Sequence, residues 1–139
     1  MMGLFKTAKK KVNTPPKILV VDDERDLVST VAYRLKFAQC TVVTAGNGKE
    51  ALEKAAAEKP DLILLDTNMP VMDGHETLKH LRADPGLKST PVIMLTARSA
   101  PEDIAAASAY GIADYVTKPF DFTELMEKVQ TVLKNIASK

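Results

Sequence analysis

A chain of 139 residues, 45% hydrophobic and 27% charged with 19 basic against 18 acidic side chains, has the size and composition of one globular domain, and no second domain fits. No apolar run reaches the roughly 20 residues of a membrane span, the basic N-terminus lacks the apolar stretch of a secretory signal, and the single cysteine, Cys40, can form no internal disulfide, so a cytoplasmic protein is expected. Net charge is +1, but Lys6, Lys9, Lys10, Lys11 and Lys17 stand in the first 17 residues without an acid, so the remainder is net acidic and offers no basic patch for direct DNA binding.

Residues 1–16 have no sustained apolar period and end in Thr14-Pro15-Pro16, which predicts a flexible basic tail ahead of a domain spanning residues 17–139. Lys17 to Val21 is a short β-branched run, the signature of a strand buried on both faces, and it stops at Asp22-Asp23-Glu24. Val28, Val31, Ala32 and Leu35 then form a helical stripe, with Asp23 or Glu24 as candidate caps for that helix. Thr41 to Ala45 predicts a second strand and Gly46-Asn47-Gly48 a turn. Ala51, Leu52, Ala55 and Ala56 mark a second helix ended by Lys59-Pro60.

The third strand, Leu62 to Leu65, runs straight into Asp66 and a loop holding Asn68, Pro70 and Gly74. Leu78 and Leu81 mark a third helix, and Pro91 to Leu95 a fourth strand that stops at Thr96. Pro101 suits the first turn of a helix ended by Gly111; its alanine-rich face predicts weak anchoring. Ala113 to Thr117 forms a fifth strand ending at Lys118-Pro119-Phe120. Asp121 and Glu124 have the spacing of a capping box for a last helix with Phe122, Leu125, Val129, Val132 and Ile136 on one face.

Strands alternating with helices predict a flavodoxin-like doubly wound (βα)5 fold with a five-stranded parallel sheet, order 2-1-3-4-5. In that order the first and third strands are neighbours, and the crevice outside their carboxyl ends gathers Asp22, Asp23 and Asp66. Three carboxylates that close need compensation. A hard divalent cation supplies it, and Mg²⁺ suits one or two carboxylates together with phosphate oxygens. Thr96 adds a hydroxyl and Lys118 a point charge, both matched to phosphoryl oxygens. An acid after a strand is more often a turn former than a catalyst, but five complementary groups on one rim are not explained by turn statistics. Met69, Met72, His75 and His80 are expected to be packing or surface residues.

Val20-Val21-Asp22-Asp23, Leu65-Asp66 followed by Met69-Pro70 and Asp73-Gly74, Leu95-Thr96-Ala97, and Lys118-Pro119-Phe120 together resemble the receiver domain of two-component response regulators, over about residues 17–137. With no effector domain after Lys139, a stand-alone, chemotaxis-regulator-like regulator is expected, and the resemblance implies that Asp66 accepts a phosphoryl group from a histidine kinase or histidine phosphotransfer protein. It further implies Mg²⁺ on Asp23 and Asp66, with Asp22 acting mainly through water and Asn68 through its backbone carbonyl. Thr96 and Lys118 would contact the phosphoryl group, Tyr115 would change rotamer with Thr96, and Lys118-Pro119 would be a cis-proline junction. The signal would then leave through the surface of the fourth helix, fifth strand and fifth helix to an unknown protein target. The same surface is the expected seat of a phosphorylation-dependent homodimer. Asn68 and Arg98 would tune the phosphoryl lifetime.

Three rival readings are weaker. A flavodoxin-type cofactor binder would meet repulsion from Asp22-Asp23-Glu24. A metal-dependent phosphatase with an Asp nucleophile would want an acid where Asn68 stands. A phosphorylation-independent scaffold would have no need of the complete polar set.

Overall fold

The three central strands are apolar runs that end at or just before a polar residue, and the two outer strands mix apolar with polar residues: β1 Lys17–Val21, β2 Thr41–Ala45, β3 Leu62–Asp66, β4 Val92–Thr96 and β5 Asp114–Thr117. Between and after them stand α1 Arg25–Phe37, α2 Gly48–Glu58, α3 Gly74–Ala83, α4 Pro101–Ser108 and α5 Phe122–Ala137. This computed structural model describes residues 14–97 and 101–137. The expected tail up to residue 13, Arg98, and the residues just before α4 lie outside that range. The strands are parallel and ordered β2-β1-β3-β4-β5, the predicted doubly wound sheet.

Alternation along each strand divides the core between the two faces of the sheet. Leu19, Val21, Ile63, Leu65 and Met94 face Ala51, Ala55, Leu78 and Leu81 of α2 and α3. Ile18, Val20, Leu62, Leu64, Ile93 and Leu95 face Val31, Leu35, Leu125, Val129 and Val132 of α1 and α5. Cys40 packs against this second cluster, and burial pushes its thiol pKa up, in keeping with a packing role. The three central strands are buried along almost their whole length, whereas β2 and β5 are partly exposed. Lysines cover both edges: Lys54 Nζ donates to the Thr44 carbonyl at 3.1 Å and Lys128 Nζ to the Tyr115 carbonyl at 2.8 Å.

Helix starts follow local chemistry. Asn47, expected in a turn, is the N-cap of α2 and accepts the Glu50 amide at 2.8 Å; Asp73 does the same for α3 with the Glu76 amide at 2.9 Å. Asp121 accepts the Thr123 amide at 2.9 Å, but Glu124 lies 3.6 Å from Lys128 one turn on, so its carboxylate is engaged along α5 rather than in a capping box. Glu24 occupies the N-cap position of α1 without a side-chain cap bond, and that carboxylate is used elsewhere. Gly111, at φ 78°, takes the left-handed conformation that terminates the turn after α4.

Candidate functional site

Register aligns the carboxyl ends of the strands on one rim. Val21 pairs with Leu65, Asp66 with Leu95 and Thr96 with Thr117, so Asp22, Asp66, Thr96 and Lys118 each end or follow a strand at the same level. The chain reverses its winding between β1 and β3, the switch point at which open α/β sheets bind ligands.

Asp22, Asp23 and Asp66 each bring a carboxylate oxygen within 4.8 Å of the others. Asp22 and Asp66 are buried and Asp23 is exposed, so the cluster opens to solvent on one side. Lys118 enters from β5 with Nζ 2.7 Å from Asp22 Oδ2, 3.3 Å from Asp66 Oδ1 and 3.3 Å from Glu24 Oε1. Backbone groups hold the acids: the Asn68 amide donates to Asp66 Oδ1 at 3.3 Å and the Glu24 amide to Asp22 Oδ1 at 3.0 Å. One ammonium therefore contacts three carboxylates, and a fourth acid, Asp23, lies in the same cluster.

That imbalance sets the proton affinities. Burial and then the neighbouring Asp22 charge push the Asp66 carboxyl up to about 6, against the pull of Lys118 and the Asn68 amide. Burial works to lower the Lys118 pKa, but its hydrogen bond to Asp22 and the charges of Asp22 and Asp66 outweigh it, so the ammonium is held above the usual lysine range. An all-oxygen donor set with surplus negative charge fits a hard divalent cation such as Mg²⁺.

The loop after Asp66 is shaped by close approach. The Gly74 amide donates to the Thr67 carbonyl at 3.0 Å, and a Cβ at Gly74 would collide with the Asp66 carbonyl oxygen, so glycine is required there. Val71 takes φ 72° while the Met72 amide donates to the Pro70 carbonyl at 2.8 Å. That is a γ-turn around a β-branched residue, a strained conformation. The turn thus rests on Pro70, Val71 and Gly74. Met69 packs on the core and His80 lies 3.9 Å from Glu76.

Asp22, Asp23, Asp66 and Lys118 converge directly. Thr96 ends β4 on the same rim, buried, with its hydroxyl accepting from Thr67 Oγ1 at 3.1 Å. The Lys118 amide donates to the Thr96 carbonyl at 2.8 Å, which ties the ends of β4 and β5, and the Lys118–Pro119 peptide bond is cis. Asn68 is exposed at the mouth. Tyr115 stands on the outer strand, partly exposed, with the Lys128 ammonium 5.5 Å from its ring centre, and is not part of the cluster. Sequence reasoning missed the pairing of Glu24 with Lys118 and the hydroxyl of Thr67. Thr67 is the first residue after β3, and the pairing of its amide with the Leu95 carbonyl at 3.1 Å sets it beside Thr96.

The family model of the response regulator receiver domain matches residues 18–130. The chain is 43% identical over 118 residues to the alkaline phosphatase synthesis transcriptional regulatory protein PhoP of Bacillus subtilis, covering 85% of this chain and 48% of that protein. It is 40% identical over 125 residues to the transcriptional regulatory protein PrrA of Mycobacterium tuberculosis, covering 90% and 53%. It thus spans about half the length of these curated relatives. Among solved structures, the chemotaxis response regulator CheY4 of Vibrio cholerae superposes with a TM-score of 0.81 at 39% identity, over 86% of this chain and 99% of that one.

Proposed function

The chain belongs to the response regulator receiver domain family of two-component signalling, and from that premise we propose that Asp66 accepts a phosphoryl group from the phosphohistidine of a sensor kinase or phosphotransfer protein. The observation that carries the proposal is one buried carboxylate at the end of β3, flanked by Asp22 and Asp23 and within 3.3 Å of Lys118. An Asp66 carboxylate oxygen attacks phosphorus, the phosphorus–nitrogen bond breaks, and its electron pair leaves on the imidazole. Because the transition state is loose, the protein contributes positioning and charge neutralisation rather than acid–base chemistry. Lys118, already between Asp22 and Asp66, pairs with the phosphoryl oxygens.

Asp22, Asp23, Asp66 and the Asn68 backbone carbonyl would hold Mg²⁺, Asp22 mainly through water. The ion supplies electrostatic stabilisation of the transferring group. Thr96 turns from Thr67 towards the new phosphoryl group, and the space it leaves lets Tyr115 reorient. The surface formed by α4, β5 and α5 carries that change to a protein target. Asn68, at the mouth, governs access of hydrolytic water. Incubation with acetyl phosphate and Mg²⁺ is expected to add the mass of one phosphoryl group to the wild type and nothing to Asp66→Asn. Equal labelling of that variant would remove Asp66 from the role.

A further inference from the structure

The Thr67 hydroxyl belongs to no part of the acidic cluster, yet it is placed where it can act on the switch. Thr67 and Thr96 are each 2% exposed, and they lie side by side because the Thr67 amide pairs with the Leu95 carbonyl one residue before Thr96. The hydroxyl of Thr67 donates to that of Thr96 at 3.1 Å. A threonine hydroxyl has one proton and a small set of directions set by its rotamer. In this conformation the Thr96 oxygen is engaged by Thr67, and the proposed movement into the pocket takes it away from that donor. Turning it there deprives a buried donor of its acceptor, and a buried donor without a partner is unfavourable.

We infer that Thr67 is a positioning residue that latches Thr96 in the unphosphorylated state, so that the phosphoryl group must break the Thr67–Thr96 hydrogen bond before Thr96 can reach it. The inference rests on the reading of Asp66 as phosphoacceptor and Thr96 as its hydroxyl partner. It also gives Thr67 a direction of effect. The hydroxyl stabilises one of two states and so lowers the apparent affinity for any phosphoryl group or mimic that requires the other.

Titration with fluoroberyllate and Mg²⁺, followed by NMR at Thr96 and its β4 neighbours, tests this on the full chain. Thr67→Val keeps the shape and removes the hydroxyl; it should bind about tenfold more tightly than wild type, the equivalent of about 1.4 kcal/mol. Thr67→Ser, which restores the hydroxyl, should return to wild-type affinity. In a Thr96→Val background the Thr67→Val change should have no effect on affinity, whereas a packing effect would appear in both backgrounds and in thermal stability. Equal affinities for wild type and Thr67→Val, or an effect that persists without the Thr96 hydroxyl, would overturn the latch and leave the phosphoacceptor standing. Failure of wild type to bind fluoroberyllate at Asp66 would remove the phosphoacceptor reading and the latch together.

Discussion

Helices α4 and α5 both spring from the rim that carries the site, but they are attached to the molecule in opposite ways. Helix α5 runs 16 residues and buries Leu125, Val129 and Val132, with Phe122, Met126, Leu133 and Ile136 packed at the margin of the same cluster. Helix α4 runs eight residues, of which Ala107 alone is buried. Apolar burial stabilises by about 25 cal/mol for each Å² removed from water, and an alanine has little area to bury. One helix is therefore part of the core and the other leans on it. The proposed switch surface could be assembled from both, with α5 as the fixed wall and α4 as the part that shifts.

Truncation of the wall has the largest expected effect. Leu125 is fully buried, and Leu125→Ala should lower unfolding free energy by about 2–5 kcal/mol, from lost transfer energy and the cavity left behind, as measured by urea titration. A loss below about 1 kcal/mol would mean that α5 is no more firmly seated than α4.

The rim from which both helices start should respond with the opposite sign. Asp66 is buried beside Asp22 and its carboxyl stands at about 6 against an ordinary value near 3.8. A raised folded-state pKa means that the fold binds the proton more tightly than the unfolded chain does. Its contribution is fully present below about 3.8 and is lost as pH rises through about 6. Asp66→Asn should then be more stable than wild type by about 2 kcal/mol at pH 7 in metal-free buffer, and the difference should shrink as pH falls towards 4. Parallel melting curves of the two proteins across that range would refute the charge argument.

Helix α4 is held at its far end by a clasp from α3. Arg82 Nε donates to the Tyr110 carbonyl at 2.8 Å and Nη2 to the Gly111 carbonyl at 2.9 Å, closing the C-terminal turn with a positive charge, as the helix dipole favours. Nη1 is buried without a hydrogen-bond partner, and burial lowers the guanidinium pKa, so part of the gain is offset. Arg82→Ala should weaken the attachment by about 1 kcal/mol, which speeds amide exchange in α4 about fivefold while leaving exchange in the core of α5 unchanged. Equal acceleration in both helices would show that α4 does not open by itself.

The sheet order and the rim could be read from the chain because β1, β3 and β4 are short apolar runs that stop at the residue of interest, and in a parallel sheet every carboxyl end falls on one side. Asp22, Asp66, Thr96 and Lys118 needed nothing further. Thr67 needed the register of β3 against β4, and a threonine after a strand has no sequence signature that separates an inward hydroxyl from a surface one. Glu24 was legible as a cap because it precedes a helix, yet its carboxylate went to Lys118, 94 residues away, a pairing fixed by tertiary contact. The positive φ of Val71 could not be anticipated, since sequence logic places glycine or asparagine at such positions. The Arg82 clasp joins α3 to the end of α4 across 28 residues, beyond any local pattern.

The smallest expected effect is the most direct test of the contrast between the helices. Ile104 is the one large aliphatic residue of α4; it is half-buried and is not among the residues packed against the core clusters. Ile104→Ala therefore removes little buried area, and alanine is the better helix former, which returns a few tenths of a kcal/mol. The net change should stay within about 0.5 kcal/mol, against several for Leu125→Ala, the same kind of truncation on the other helix. Measured together by urea titration, the pair isolates attachment from side-chain chemistry. If Ile104→Ala cost as much as Leu125→Ala, α4 would be a second wall, and a signal from Asp66 would have to leave by another route.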